Sequence, residues 1–210
     1  MEEMPVKQTE AQRFNTAAKE WENNIPHKNY DIARHLIDRL QIPEGGAVLD
    51  VACGTGILFS ILKDVNISRY TGIDIADKMV EEFLSVYPQA DVRCVDFESE
   101  LTLEGGYDYV IIYNSIPHFN DLDMVFKNAY KCLKQNGTFA IAHSKTRKGL
   151  REHHRKIGYV SGKKHPIPED AELTELCVRH GFEGVITEDS EYFFFACERK
   201  FFNVAGDSLK

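Results

Sequence analysis

The stretch Val48-Leu49-Asp50-Val51-Ala52-Cys53-Gly54-Thr55-Gly56 runs from a short apolar segment into two closely spaced glycines. Gly54 and Gly56 admit positive φ and let a ligand approach the backbone closely. Thr55 can help satisfy the start of a following helix. At the carboxyl end of a central strand, such a turn suits the amino-acid and ribose portions of a nucleoside-like cofactor. Asp74 ends the next predicted strand, 18 positions after Gly56, where a carboxylate can accept hydrogen bonds from both ribose hydroxyls. Asp50 can orient the turn and, through water, meet a cationic amino group. For either aspartate, helix capping or plain solvation is the competing role. The spacing is not G-x-G-x-x-G, because position 59 is Phe, and no G-K-[ST] follows. Dinucleotides and ATP therefore rank below a cofactor without a pyrophosphate.

A second group is made of histidines. His118 follows Ser115-Ile116-Pro117, and His143 closes a predicted strand before Ser144-Lys145-Thr146-Arg147. His154 lies on a predicted helix with Leu150 and His153 on part of one face. Neutral imidazole accepts a proton near pH 6.5, so His118 can serve as general base for a hydroxyl, phenol, enol or thiol, with His143 and His154 orienting the acceptor. The same three rings can instead bind a transition metal, although they form no short ligand motif, or simply cap and pack. Arg147, Lys148, Arg151, Arg155 and Lys156 stand against Glu152 alone. That cluster can attract a carboxylate or phosphate on a substrate, or it can be a solvated helix.

Alternating elements must position these groups. Helical periodicity covers Gln8–Trp21 and Tyr30–Leu40, and Pro43-Glu44-Gly45-Gly46 ends the second. A strand is expected over 47–51, a helix over Thr55–Leu62, a strand over Tyr70–Ile73 and a helix over Asp77–Val86 capped by Asp77. Further strands fall at Val92–Val95, Tyr109–Ile112 and Thr138–Ala142, with a helix at Leu122–Leu133 before an Asn136-Gly137 turn. Asp170–His180 reads as a helix stopped by Gly181. Gly184–Thr187 and Tyr192–Cys197 read as an antiparallel pair. The order implies an α/β fold with a mostly parallel sheet, right-handed crossovers and an antiparallel edge.

With 210 residues, 43% hydrophobic and 28% charged, the chain fits one domain of ordinary composition. A formal charge of −8 argues against a general nucleic-acid surface. No apolar run approaches the ~20 residues of a membrane span. The start Met1-Glu2-Glu3 does not resemble a leader, so a cytoplasmic location is expected. Five cysteines without a C-x-x-C pair point to core thiols, not a disulfide framework or a metal cluster.

From about residue 10 to 199, these motifs resemble class I S-adenosylmethionine-dependent methyltransferases, in particular the ubiquinone and menaquinone biosynthesis group. Val48–Gly56 resembles the family's cofactor loop, and Gly72-Ile73-Asp74-Ile75-Ala76-Asp77-Lys78-Met79 its ribose-binding strand end. Asp96-Phe97 resembles the pair that meets the adenine amine and covers the base, and Asn114–His118 the stretch lining the transfer site. Cys132-Leu133-Lys134-Gln135-Asn136-Gly137 resembles the L-K-P-G-G turn, with departures at Gln135 and Asn136. Arg147 and His154 resemble an R-E-E-L-x-x-x-H-like pattern of some members.

The resemblance implies a Rossmann-like three-layer sandwich with a seven-stranded, mostly parallel sheet and one antiparallel edge strand. It implies one domain over 1–210, with a helical cover at 8–41 and an acceptor-side insertion at 144–168. It implies S-adenosylmethionine as cofactor, with S-adenosylhomocysteine as product. The implied binding set is Asp50, Ala52, Cys53, Gly54, Gly56, Asp74, Ile75, Met79, Asp96, Phe97 and Asn114. His118, His143 and His154 are the catalytic candidates, without a resident metal. The expected partner is a small-molecule substrate; nucleic acid is not expected, and monomer and homodimer stay open. A noncatalytic cofactor-binding or partner-regulating protein and a metal-assisted methyltransferase are the alternatives.

Overall fold

The computed structural model describes residues 9–159 and 165–200. Residue 8 of the expected cover and residues 160–164 of the expected insertion lie outside them. Helices α1 (Glu10–Trp21) and α2 (His27–Leu40) precede strand β1 (Ala47–Val51). Then come α3 (Phe59–Leu62), β2 (Arg69–Asp74), α4 (Asp77–Val86), β3 (Val92–Cys94), β4 (Tyr107–Tyr113), α5 (Leu122–Cys132) and β5 (Leu133–His143). The last elements are α6 (Arg147–Lys156), α7 (Asp170–His180), β6 (Phe182–Asp189) and β7 (Phe193–Arg199).

The strands form one seven-stranded sheet in the order β3-β2-β1-β4-β5-β7-β6. Pairings from β3 to β5 are parallel, and β7 runs antiparallel to both β5 and β6. The reversed strand thus lies one place in from the edge, with β6 outermost. The two-residue period of a strand sends alternate side chains to opposite faces. Leu49, Val51, Phe139 and Phe195 pack with Phe126, Leu173 and Leu176 of α5 and α7 on one face. Val48, Ile111, Ala140 and Phe194 pack with Ile32, Ala33 and Leu36 of α2 on the other. Fully burying each such side chain stabilises by roughly 1.5–3 kcal/mol. The sheet is therefore the middle of three layers.

Several boundaries differ from expectation for physical reasons. The helix expected from Thr55 starts at Phe59, because Gly54 and Gly56 take φ of 55° and 102° and hold the chain in turns. Asp77 is the first residue of α4, not its cap. The backbone amide of Lys78 donates instead to the side-chain Oδ1 of Asn15 in α1 at 3.0 Å, while Asn15 Nδ2 donates to the Asp77 carboxylate at 2.6 Å. Thr9 and Gln12 close α1 with a reciprocal capping box. Cys94 is exposed on β3, unlike the other four cysteines, which are buried and free. Among the described residues, no helix is long and apolar enough to cross a membrane.

Candidate functional site

The crossover from β1 leads to β2 on one side, whereas β4 lies on the other, so the sheet reverses its direction of winding between β1 and β4. A crevice opens outside the carboxyl ends of strands at such a point. Here it is a cavity of about 430 Å³, within the ~300–1,000 Å³ range of small-molecule sites. Two non-glycine residues flank its floor in left-handed conformations, Ala52 at φ 57° and Asn114 at φ 58°. Such strain persists where surrounding structure enforces it, commonly at functional sites. Asn114 Oδ1 accepts from the Ser144 amide at 2.7 Å, which ties the end of β4 to the end of β5.

At one end of the cavity stand Gly54, Asp74, Ile75, Met79, Asp96 and Phe97. A Cβ added to Gly54 would meet only the Trp21 indole nitrogen, at 4.0 Å, so the bare backbone faces open space. Asp74 is 7% exposed and accepts from the Gly54 amide and the Ala76 amide, each at 2.9 Å. Burial pushes its carboxyl pKa up, while bonds from the Ala76, Gly54 and Ile75 amides oppose that rise. A carboxylate has about four lone-pair sites, so accepting capacity remains beyond these three amides. Asp96 is exposed, and the neighbouring Phe97 is buried. Cys53 and Ala52 complete this side of the lining.

Two expected binding residues stand behind the loop instead of in the cavity. Asp50 is buried within β1 and accepts from the Tyr70 hydroxyl at 2.8 Å. Burial, opposed by that hydroxyl and reinforced by Asp74, raises its pKa to about 7. A Cβ on Gly56 would lie 3.0 Å from the Phe83 ring, so this glycine lets the loop settle onto α4. Thr55 does not cap α3; its hydroxyl donates to Glu22 at 2.6 Å and fastens the segment after α1 over the loop.

The other end gathers His118, His143, His153 and His154 with Ser144 and Lys145. The three sequence-predicted histidines thus meet in one cavity, from three separate segments. His143 is buried, and its Nδ1 accepts from the Lys145 amide at 3.0 Å. Its proton therefore resides on Nε2 in this network. Burial, with the Lys145 ammonium adding to it, depresses its pKa to about 3. His143 is thus a neutral hydrogen-bond donor through Nε2–H. His118 Nδ1 lies 3.1 Å from the Arg13 guanidinium and 3.3 Å from Glu10 Oε2. Phe14 packs its ring edge-on to His118 at 4.9 Å. His154 stacks near Tyr159 at 4.6 Å, and burial followed by the charges of His153 and His118 lowers its pKa. Among the described residues, no three His, Cys, Asp or Glu side chains are grouped to hold a metal ion.

Sequence reading missed Arg13 and Tyr159. Arg13 donates to the Tyr159 hydroxyl at 2.9 Å while contacting His118, so it joins α1 to two walls of the cavity. Phe14 and Trp21 line the same space. Arg147 belongs to the scaffold and not to an anion-attracting surface. It is buried, bonds Asp170 at 2.7 Å, reaches Asp189 at 3.7 Å and lies over Phe193.

Residues 25–187 match the family model described as a methyltransferase domain. The chain belongs to that family. Membership makes residues 25–187 a methyltransferase domain, of the class that uses S-adenosylmethionine as donor; it does not give the acceptor. Over 128 residues, 55% of this chain, it is 34% identical to malonyl-(acyl-carrier protein) O-methyltransferase of Acetivibrio thermocellus, covering 45% of that protein. Over 184 residues, 85% of this chain, it is 22% identical to phosphoethanolamine N-methyltransferase 1 of Triticum aestivum, covering 37% of it. The chain thus spans less than half the length of these two relatives. A solved structure of similar fold holds a methyltransferase with the Haloferax volcanii Trm112 methyltransferase activator. It has a TM-score of 0.75 at 18% identity, covering 93% of this chain and 100% of that one.

Proposed function

We propose that this methyltransferase acts on a small-molecule nucleophile seated at the histidine end of the cavity. The observation that carries the reading is a single cavity reaching from Gly54 and Asp74 to His118, His143 and His154. The names of the relatives include oxygen, nitrogen and carbon acceptors, so the reading is confined to the nucleophile class.

The residues present fit the donor. Asp74 offers free lone pairs to a sugar diol, Gly54 offers bare backbone, and Ile75, Met79 and Phe97 offer apolar surface beside the Asp96 carboxylate. When bound, S-adenosylmethionine supplies an electrophilic methyl group on a cationic sulfur leaving group. The chain itself then has to align the acceptor, exclude water and receive a proton. His143 holds an acceptor atom through Nε2–H. Phe14 and Trp21 shield the cavity from the α1 side. His118 is the proton acceptor in this reading: with its own proton on Nδ1, facing the Glu10 carboxylate 3.3 Å away, Nε2 keeps the lone pair that takes the acceptor's proton, and Glu10 stabilises the imidazolium that results.

Calorimetry with S-adenosylhomocysteine, followed by donor consumption across a panel of small hydroxyl, amine and thiol acceptors, tests the proposal. His118→Gln is expected to lower turnover by about 10²-fold, the scale of general acid-base catalysis, with product affinity unchanged. Donor binding without consumption across the panel contradicts methyl transfer to such acceptors. Unchanged turnover in the variant removes His118 from the role.

A further inference from the structure

The histidine end of the cavity holds a positive charge that proton transfer does not use. Lys145 follows the end of β5 and shares the lining with Ser144, His153 and His154. Among the described residues, the lysine ion pairs belong to Lys78 and Lys134, and Lys145 has none. Glu10, 3.3 Å from His118, is engaged with Arg13 at 3.0 Å. His154 Nδ1 is buried without a hydrogen-bond partner among the described residues.

Electrostatics agree with that arrangement. Burial is the main cause that lowers the pKa of His143, His153 and His154, and the Lys145 ammonium lowers all three further. Lys156 adds to the effect on His153, and His118 and Arg13 add to it on His154. Burial first and the neighbouring cations second thus disfavour the charged form of these rings, and a bound anion would offset the share due to the cations. Lys148, Arg151, Arg155 and Lys156, the cations expected from sequence to attract an anion, are exposed and outside the cavity lining.

We infer that Lys145, His153 and His154 form an oxyanion subsite, and that the acceptor carries a phosphate monoester or a carboxylate bound there. The ammonium supplies a fixed charge and three donors, and the imidazoles supply ring N–H donors beside it. The nucleophile of the same acceptor then faces His118. That last placement rests on the methyl-transfer reading, whereas the anion site stands on its own residues.

The test titrates the full-length protein with inorganic phosphate and, separately, with acetate, while following the histidine ring signals by NMR. At least one anion is expected to shift the His153 and His154 signals saturably. Lys145→Gln should weaken that binding about tenfold or more, the factor supplied by one charge-assisted hydrogen bond. Lys148→Gln should match the unsubstituted protein. His153→Gln, at an exposed position, is a second variant expected to weaken binding. Tighter binding of phosphate points to a phosphate ester, and tighter binding of acetate to a carboxylate. The absence of a saturable shift with either anion overturns the subsite, as does equal affinity in Lys145→Gln. S-adenosylhomocysteine titrated into the same samples separates the two readings. Product binding without anion binding ends the subsite alone, and anion binding without product binding ends the methyl-transfer reading alone.

Discussion

The two ends of the cavity are built in different ways. At the glycine end, backbone does most of the work: the Gly54 and Ala76 amides and the turn itself fix Asp74, all within the β1 and β2 strand ends. At the histidine end, side chains from α1, the stretch after β4, the end of β5, α6 and Tyr159 meet across long sequence separations. The first construction tolerates little change. The second can alter its ligand by exchanging a few side chains, which is how one fold serves many acceptors.

The largest expected contrast comes from Asp74→Ala. Removing a carboxylate that holds the loop and, in the proposed reading, the sugar should weaken S-adenosylhomocysteine binding by about 100-fold, on the scale of two hydrogen bonds to a charged group. It should also destabilise the fold by about 1–3 kcal/mol for each buried amide left without its acceptor. Calorimetry and urea denaturation check the two effects. An equal loss of product affinity from Lys145→Gln would erase the distinction between the ends.

Opposite pH dependences sharpen the comparison. Asp50 has its pKa raised from 3.8 to about 7. Its stabilising contribution is therefore full below the unfolded value and is lost as pH rises through about 7. His143 has its pKa lowered from 6.5 to about 3. Its contribution is present above 6.5 and is lost as pH falls through about 3. Each group contributes a slope of up to about 1.4 kcal/mol per pH unit inside its window. Denaturation midpoints of Asp50→Asn and His143→Gln across pH 4–7 should change slope in opposite directions.

The smallest effect expected is that of Arg13→Gln, which releases Tyr159 and His118 from α1. Stability should fall by about 1 kcal/mol, the scale of a typical net hydrogen bond, while proteolysis within Glu10–Trp21 accelerates. Unchanged proteolysis would mean that Arg13 does not hold the cover.

The same contrast explains what the sequence revealed. The succession of strands along the chain and the glycine loop were legible because local patterns encode them: apolar Val48–Val51, glycines needing positive φ, and an acid ending β2. Asp74, Asp96 and Phe97 line the cavity. The cap of α4 was not legible, since its acceptor is Asn15, 63 positions before the Lys78 amide. Nor was the role of Arg147, whose burial depends on Asp170 and Asp189 arriving from later elements. Lys145 drew no attention beside the denser basic run that follows it, because sequence alone does not tell which cation faces a cavity.

Hydrogen–deuterium exchange with and without S-adenosylhomocysteine tests most directly whether the donor occupies the glycine end. Slowed exchange is expected in peptides spanning residues 52–56, 73–79 and 95–98, with Arg147–Lys156 unchanged. Protection confined to Arg147–Lys156, or no protection at Gly54 and Asp74 under saturating ligand, would contradict the account.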